Sequence, residues 1–309
     1  MKPLLCIVGP TGSGKTAVGV AVAKSLSAEI ISIDSRQLYR GFRIGAAQPT
    51  EAECAGIPHH LIDFQDANKP MTAGQFAKLS HAKILQLVSA GKNVILVGGS
   101  GLYFRAIFDG LFQGPLIEEA YRVVLRERAR IEGVPALHDE LQRIDPALAQ
   151  NIMANDYPRI ERGLEVYHAS GKTMSQWWKE QEREFEFSPI YVGLSRDRAD
   201  VVNRIAKRTK EMLATGWIEE VQTLLAAGYD EAIDREKFHG YRELAAYLRG
   251  EIMLAEAEER INIVTRQYAK RQMTWFRHTK NVTWVDVKPD ETTLETAQKI
   301  LTTWQDSIA

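Results

Sequence analysis

Gly9-Pro10-Thr11-Gly12-Ser13-Gly14-Lys15-Thr16 has the spacing G-x-x-x-x-G-K-[ST]. Glycines at these intervals let successive backbone N–H groups converge on phosphate oxygens. The following helix adds its positive end, and Lys15 adds a point charge. The Thr16 hydroxyl is placed for a magnesium ion. The loop calls for a diphosphate or triphosphate and does not by itself specify ATP. Asp34 ends a second apolar run, where a carboxylate could accept a proton, hold a hydroxyl or reach magnesium through water; the lesser alternative is a turn cap. Gly98-Gly99-Ser100-Gly101 ends a third run and reads either as an oxyanion or base-approach site or as a tight turn. Arg266, Lys270, Arg271, Arg277 and Lys280, with His278, form a stretch without an acid, interleaved with Trp275 and Phe276. Such a stripe suits phosphate backbones or plain solvent. Trp275 reads as core rather than as a stacking platform. Arg208 is open to three readings: a diphosphate clamp, a kinase-lid arginine or plain surface. Arg122, Arg159, Arg162 and Lys172 are further cations, the first offset by Glu127 and Glu132. His59, His60 and His168 do not have metal-ligand spacing with carboxylates.

These residues need elements to hold them. Leu4 to Val8 reads as a strand and Thr16 to Leu26 as a helix, which is the context the phosphate loop requires. Glu29 to Ile33 is a second strand. A loop-rich stretch with Gly41, Gly45, Pro49, Gly56 and Pro58 follows. Thr72 to Ala90 has helical spacing and starts on a Thr cap. Asn93 to Val97 is a third strand. The alternation predicts βαβ units on a parallel sheet. From 115 to 187 the pattern is helical without a strand, and predicts an all-helical insertion. A strand returns at 189–194, with helices at 198–215, 216–227 and 254–277, a last strand at 282–287 and a closing helix at 294–304. The predicted class is α/β: a parallel sheet of the P-loop NTPase type flanked by helices, made from 1–114 and 188–309, with 115–187 as the insertion. No apolar strand ends in an acid beside the loop, since Val94 to Val97 runs into glycine. That disfavours motor-type ATP hydrolysis.

At 309 residues, 45% hydrophobic and 26% charged, with net charge −1, the chain reads as an ordinary soluble protein whose overall charge favours no partner. Cys6 and Cys54 make no disulfide framework. No apolar run reaches the length of a membrane helix, and a strand entered by Leu4 leaves no room for a signal peptide. The expectation is a cytoplasmic, monomeric enzyme.

Taken in order, these segments resemble the tRNA dimethylallyltransferases. The resemblance is carried by Gly9 to Thr16, Asp34-Ser35-Arg36-Gln37-Leu38-Tyr39, Ile44 to Pro49, His59-His60-Leu61-Ile62-Asp63 and Gly98 to Tyr103. It continues through Asn155-Asp156 to Arg159, Arg162, Leu164-Glu165-Val166, Gly240-Tyr241-Arg242-Glu243 and Thr265 to Arg277. The chain departs from the pattern at Ser100 (usually Thr), Ala46 (Thr), Gln48 (Lys), Pro158 (Gln), Glu161 and His239, where an apolar residue is common. The resemblance implies a P-loop fold that binds dimethylallyl diphosphate in place of ATP and prenylates the adenosine 3′ of the anticodon of a tRNA. It implies that the backbone of Gly9, Pro10, Thr11, Gly12, Ser13 and Gly14, with Lys15, Thr16, Mg2+ and Arg208, stabilises the leaving diphosphate. It implies Asp34 as the proton acceptor and Ser100 as its helper. It implies RNA contacts at Asp34, Ser35, Arg36, Gln37, Ser100, Pro158, Arg159, Ile160, Glu161, Arg162, His239, Gly240, Tyr241, Arg242, Lys270, Arg271, Gln272, Trp275 and Arg277, and at Arg122. Two other classes fit parts of the pattern. A P-loop small-molecule kinase would use the same loop, Asp34 and an arginine helix, but not the insertion or the basic stretch. An RNA-binding nucleotide switch would need a base-specific pocket, and no N-K-x-D-like motif is present.

Overall fold

The computed structural model describes residues 2–110, 115, 118–180 and 185–308. The chain divides into two compact units, 1–109 with 185–309, and 110–184. In the first, the apolar run ends β1 (Lys2–Val8), buried from Leu4 onward. Gly14 then takes a left-handed conformation (φ 93°, ψ 12°) that only glycine adopts cheaply, and starts α1 (Lys15–Leu26). β2 (Ala28–Ile33), α2 (Glu51–Cys54), β3 (His59–His60), α3 (Ala73–Ser89), β4 (Asn93–Gly98) and α4 (Gly101–Phe108) follow. The expected Thr72 cap is present: its side chain accepts from Gln75 N, and Gln75 caps back. β3, two residues long, falls in a stretch whose pattern reads as loop.

The second unit holds α5 (Glu119–Ile131), α6 (Val134–Ile144), α7 (Pro146–Ala149), α8 (Tyr157–Ser170) and α9 (Met174–Glu180). Leu125, Leu137, Leu141, Leu148, Ile152, Ile160 and Leu164 form its core. The expected boundary at residue 114 lies outside the described residues. The other end differs: the first unit resumes at Phe185, and β5 (Phe187–Ser195) starts two residues before the sequence signal, because Phe187 pairs with Lys2. α10 (Arg198–Ala214), α11 (Trp217–Ala226), α12 (Asp230–Arg235), α13 (Tyr241–Leu248), α14 (Leu254–His278), β6 (Val282–Asp286) and α15 (Thr293–Ile308) complete the chain.

The strand order is β3-β2-β4-β1-β5-β6, with every neighbouring pair parallel. β4 therefore lies between β1 and β2. Val8 pairs with Gly98, and Gly98 pairs with Ile33. The phosphate loop, the glycine turn and Asp34 thus leave three adjacent strands on one row of the sheet's carboxyl edge. That edge is where ligands of open parallel sheets bind.

Candidate active site

A cavity of about 540 Å³ opens at this edge and is lined by Thr11, Lys15, Thr16, Asp34, Arg36, Arg208, Tyr268 and Gln272, among others. Three arginines brace the loop, two through its backbone carbonyls and one through the Thr11 hydroxyl. Arg208 donates to Thr11 Oγ1 at 2.6 Å, Arg204 to the Gly12 carbonyl at 2.8 Å and Arg196 to the Ser13 carbonyl at 2.9 Å. Arg196, just before α10, has no counterpart in the sequence reading; it carries no motif, and only the fold brings it under the loop. Lys15 Nζ donates to the Pro10 carbonyl at 2.7 Å. The Ser13 hydroxyl is buried and without a partner among the described residues.

Lys15 is half-open to the cavity, yet crowded by protein atoms. Burial pulls its pKa from 10.5 down to about 8; Arg208 adds to the fall and Asp34 opposes it. Burial likewise lowers Arg208, helped by Arg204 and opposed by Asp34. Among the described residues neither cation is in an ion pair. Two crowded cations without an ion pair, beside a helix N-terminus, have the chemistry that suits a polyvalent anion. The Thr16 hydroxyl lines the same cavity and makes no hydrogen bond within the described residues. No cluster of three His, Cys, Asp or Glu side chains among the described residues could hold a metal by itself. A magnesium ion, which keeps waters and binds through few protein groups plus phosphate oxygens, fits this donor set.

Asp34 caps a turn and also faces the cavity. Oδ1 accepts from Arg36 N at 2.8 Å and Gln37 N at 3.3 Å, as a turn cap does. The carboxylate also lines the cavity, and Oδ2 makes no hydrogen bond among the described residues. Ser100 Oγ accepts from Ser35 N at 2.9 Å, tying the glycine turn to the residue after Asp34. Tyr268 joins this group. Burial raises its pKa and the Asp34 charge adds to that, while Arg36 and hydrogen bonds with Ser100 and Ser35 oppose. Tyr268 was invisible as a site residue in the sequence, although it falls on the helical stripe Ile261, Thr265, Tyr268, Gln272 that lines the cavity.

The glycine turn's composition has a packing cause. A Cβ at Gly99 would collide with the Gln272 amide, and one at Gly101 with the Trp275 indole. Trp275 therefore packs on the turn. Gln272, expected among the RNA contacts, is buried, with its carbonyl on Thr11 N at 2.8 Å and its amide on the Gly99 carbonyl at 3.0 Å. Tyr241 is buried too. Its hydroxyl donates to Glu220 at 2.7 Å and accepts from Ala46 N at 3.2 Å. Gly240 caps α13 where a Cβ would meet Trp217. Glu220 also accepts from the backbone of Arg43, Ile44 and Gly45, so one carboxylate shapes the loop beside the cavity. Gln37 is spent internally: Ser32 donates to its carbonyl at 2.9 Å, and its amide donates to the Ala47 carbonyl at 2.7 Å. Gln48 donates to the carbonyls of Gln37 and Tyr39.

His239 stands 3.5 Å from Arg271, beside Tyr268. Burial, then Arg36, Arg271 and Arg242, pull its pKa to about 4, so it is neutral at pH 7. Arg36 lies over the Phe238 ring and 3.5 Å from Glu236; Arg242 pairs with Asp234. Arg266, Lys270, Arg271, Arg277 and Lys280 are all exposed, and none is in an ion pair among the described residues. The second unit contrasts with this. Arg122 donates to the buried Glu165 at 2.7 Å, with Arg162 3.4 Å from the same carboxylate. Arg159 pairs with Asp156, and Glu161 accepts from Tyr157. Pro158 sits in the first turn of α8. Ile160, expected among the RNA contacts, has its side chain fully buried in that unit's core.

Residues 37–279 match the family model for IPP transferase. The chain belongs to the IPP transferase family. A tRNA dimethylallyltransferase of Geobacillus thermodenitrificans is 41% identical over 94% of this chain and 92% of its own. The one from Bacillus subtilis is 40% identical over 93% and 92%. The solved full-length tRNA isopentenylpyrophosphate transferase of Bacillus halodurans is 35% identical, with a TM-score of 0.72, covering all of this chain and 98% of that one. Family membership makes the chain a prenyltransferase and removes the kinase alternative.

Proposed function

We propose that this chain transfers the dimethylallyl group of dimethylallyl diphosphate to the exocyclic N6 amine of the adenosine 3′ of the anticodon in tRNA, releasing diphosphate. The observation that carries this reading is the pairing of two uncompensated cations, Lys15 and Arg208, with a carboxylate across one cavity. The diphosphate lies on the loop amides, Lys15 and Arg208. Ile30, Val97, Ile261 and Met212 line the same cavity and give the prenyl tail apolar surface. The N6 amine attacks the allylic carbon as the carbon–oxygen bond to diphosphate breaks. Negative charge grows on the leaving group, where preorganised donors act most strongly. Asp34 Oδ2 takes the amine proton, and Ser100 holds the turn that aims it. Magnesium at Thr16 and the diphosphate oxygens would supply further positive charge to the leaving group. The target base leaves the anticodon stack to enter the cavity. The unpaired cations of α14 meet RNA phosphates, whereas the arginines of the second unit would have to exchange carboxylates for phosphates. One chain supplies every group, so the reaction needs only a monomer. No described helix is long and apolar enough to cross a membrane, and the proposed place of action is the cytoplasm with its tRNA.

The direct test is incubation with an anticodon stem-loop, dimethylallyl diphosphate and magnesium. Mass spectrometry should find one prenyl group on one adenosine; an unmodified stem-loop, or a phosphorylated product with ATP, would sink the reading.

Two further outcomes are expected. Lys15 has a pKa near 8 in the free protein, and a bound diphosphate favours its charged form. Diphosphate affinity should therefore weaken as pH rises through about 8, with proton uptake on binding between about 8 and 10. Calorimetry in buffers of different ionisation heat reads this, and pH-independent binding to pH 10 would remove it. On α14, Lys270→Ala or Arg277→Ala should weaken stem-loop binding and lower the salt slope by about one per charge. An unchanged slope would return that face to solvent.

A further inference from the structure

We propose that Gln272 is a positioning residue that sets the distance between the phosphate loop and the Ser35–Ser100 pair, and so keys donor to acceptor; this rests on the prenyl-transfer reading above. Its side chain is buried and uses both ends of its amide. The carbonyl accepts from Thr11 N at 2.8 Å, and Nε2 donates to the Gly99 carbonyl at 3.0 Å. Gly99 precedes Ser100, whose Oγ holds Ser35 N at 2.9 Å, and Ser35 follows Asp34. A continuous chain of contacts therefore runs from the loop that holds the leaving group to the carboxylate that faces the amine. Among the described residues no other side chain bonds both the phosphate loop and the glycine turn. The arginines at 196, 204 and 208 brace the loop by other atoms and do not reach Gly99.

The surroundings are shaped to admit this amide. Gly99 must lack a Cβ to make room for it. Tyr268, one helical turn earlier on α14, approaches Ser35 and Ser100 from the same stripe. The opposite face of α14 carries the open cations. Displacement at an allylic carbon needs the amine and carbon about 3–3.5 Å apart, and a shift near 1 Å costs about 10² in rate. A single amide that fixes the spacing of the two sites has that leverage.

The test uses the full chain with Gln272→Leu and Gln272→Glu, steady-state kinetics on the stem-loop, and calorimetry with inorganic diphosphate and magnesium. Gln272→Leu fills the space but leaves Thr11 N–H and the Gly99 carbonyl unpaired. It should weaken diphosphate binding at least tenfold and lower kcat/KM for the donor about 10²-fold, with the stem-loop KM within threefold. A merely structural role would reduce the folded fraction and leave both KM values and the diphosphate Kd unchanged, which would overturn the proposal. Gln272→Glu keeps the acceptor for Thr11 but sets a carboxylate oxygen against the Gly99 carbonyl. Protonated, it regains the donor. Its diphosphate affinity should recover as pH falls from 7 toward 5, a range in which the parent's Lys15 is already protonated and its affinity stays level, and this holds as a readout even if the leucine variant does not fold. A glutamate variant with the parent pH profile overturns the proposal. A parent chain that binds diphosphate but prenylates nothing would defeat the functional reading while leaving Gln272 to be judged on diphosphate binding.

Discussion

Asp34→Asn should lower turnover by about 10²–10⁴ while stem-loop and diphosphate affinities stay within a few-fold. Asparagine is the informative change because the two jobs of Asp34 fall on different oxygens. The side-chain carbonyl of asparagine still accepts from Arg36 N and Gln37 N, which Oδ1 does at 2.8 and 3.3 Å. The turn is kept, so Ser35 stays on Ser100. What is lost is a carboxylate oxygen able to take a proton from the amine. Asp34→Ala removes both functions and should add a loss of stability; the cap alone is worth about 1 kcal/mol. If Asp34→Asn turned over normally while Asp34→Ala did not, Asp34 would be a turn cap and the proton would leave by another route. Single-turnover kinetics with prebound stem-loop separates the cases, since it removes donor and RNA binding from the measured rate.

Much of this site was legible because its parts are local. The phosphate loop, Asp34 and the glycine turn each follow an apolar run, and the alternation of strand and helix places all three ends at one sheet edge. What sequence could not supply was the order of the strands. That β4 lies between β1 and β2 decides that Gly98 neighbours both Val8 and Ile33. The reason for the glycines was also hidden. Gly99 and Gly101 are small because Gln272 and Trp275, some 170 residues later, press on them. Half-buried polar partners such as Glu220 and Arg196 carry no local signature, as they hold backbone groups of distant loops. The basic stretches differ in a way the sequence does not display. Counted along the chain, Arg122, Arg159 and Arg162 resemble Lys270 and Arg277. In space the first three are paired with carboxylates, and among the described residues the last two are not. Ile160 was carried into the RNA set by its neighbours, while helical periodicity turns it into the core.

The second large effect is expected at Lys15, and its signs differ for stability and function. In the free protein Lys15 and Arg208 oppose each other, and burial depresses both. The unfolded chain holds its Lys15 proton to pH 10.5 and the folded chain only to about 8. This group therefore works against folding below pH 8, and its penalty fades as pH rises from 8 to 10.5. Lys15→Met removes that penalty and keeps much of the apolar stem. The variant without ligand should melt at the parent temperature or above it, by the most at pH 7 and by little at pH 10. Diphosphate with magnesium should raise the melting temperature of the parent and do so far less for the variant. The donor kcat/KM should fall by about 10²–10³, as when one oxyanion donor is lost. Arg208→Met should do likewise. Because both cations act on the same leaving group, the double variant should lose less than the product of the single losses. A Lys15→Met chain that melted lower at pH 7 yet kept the diphosphate-induced rise would show Lys15 to be a brace for the Pro10 carbonyl, and the anion would have to be held elsewhere.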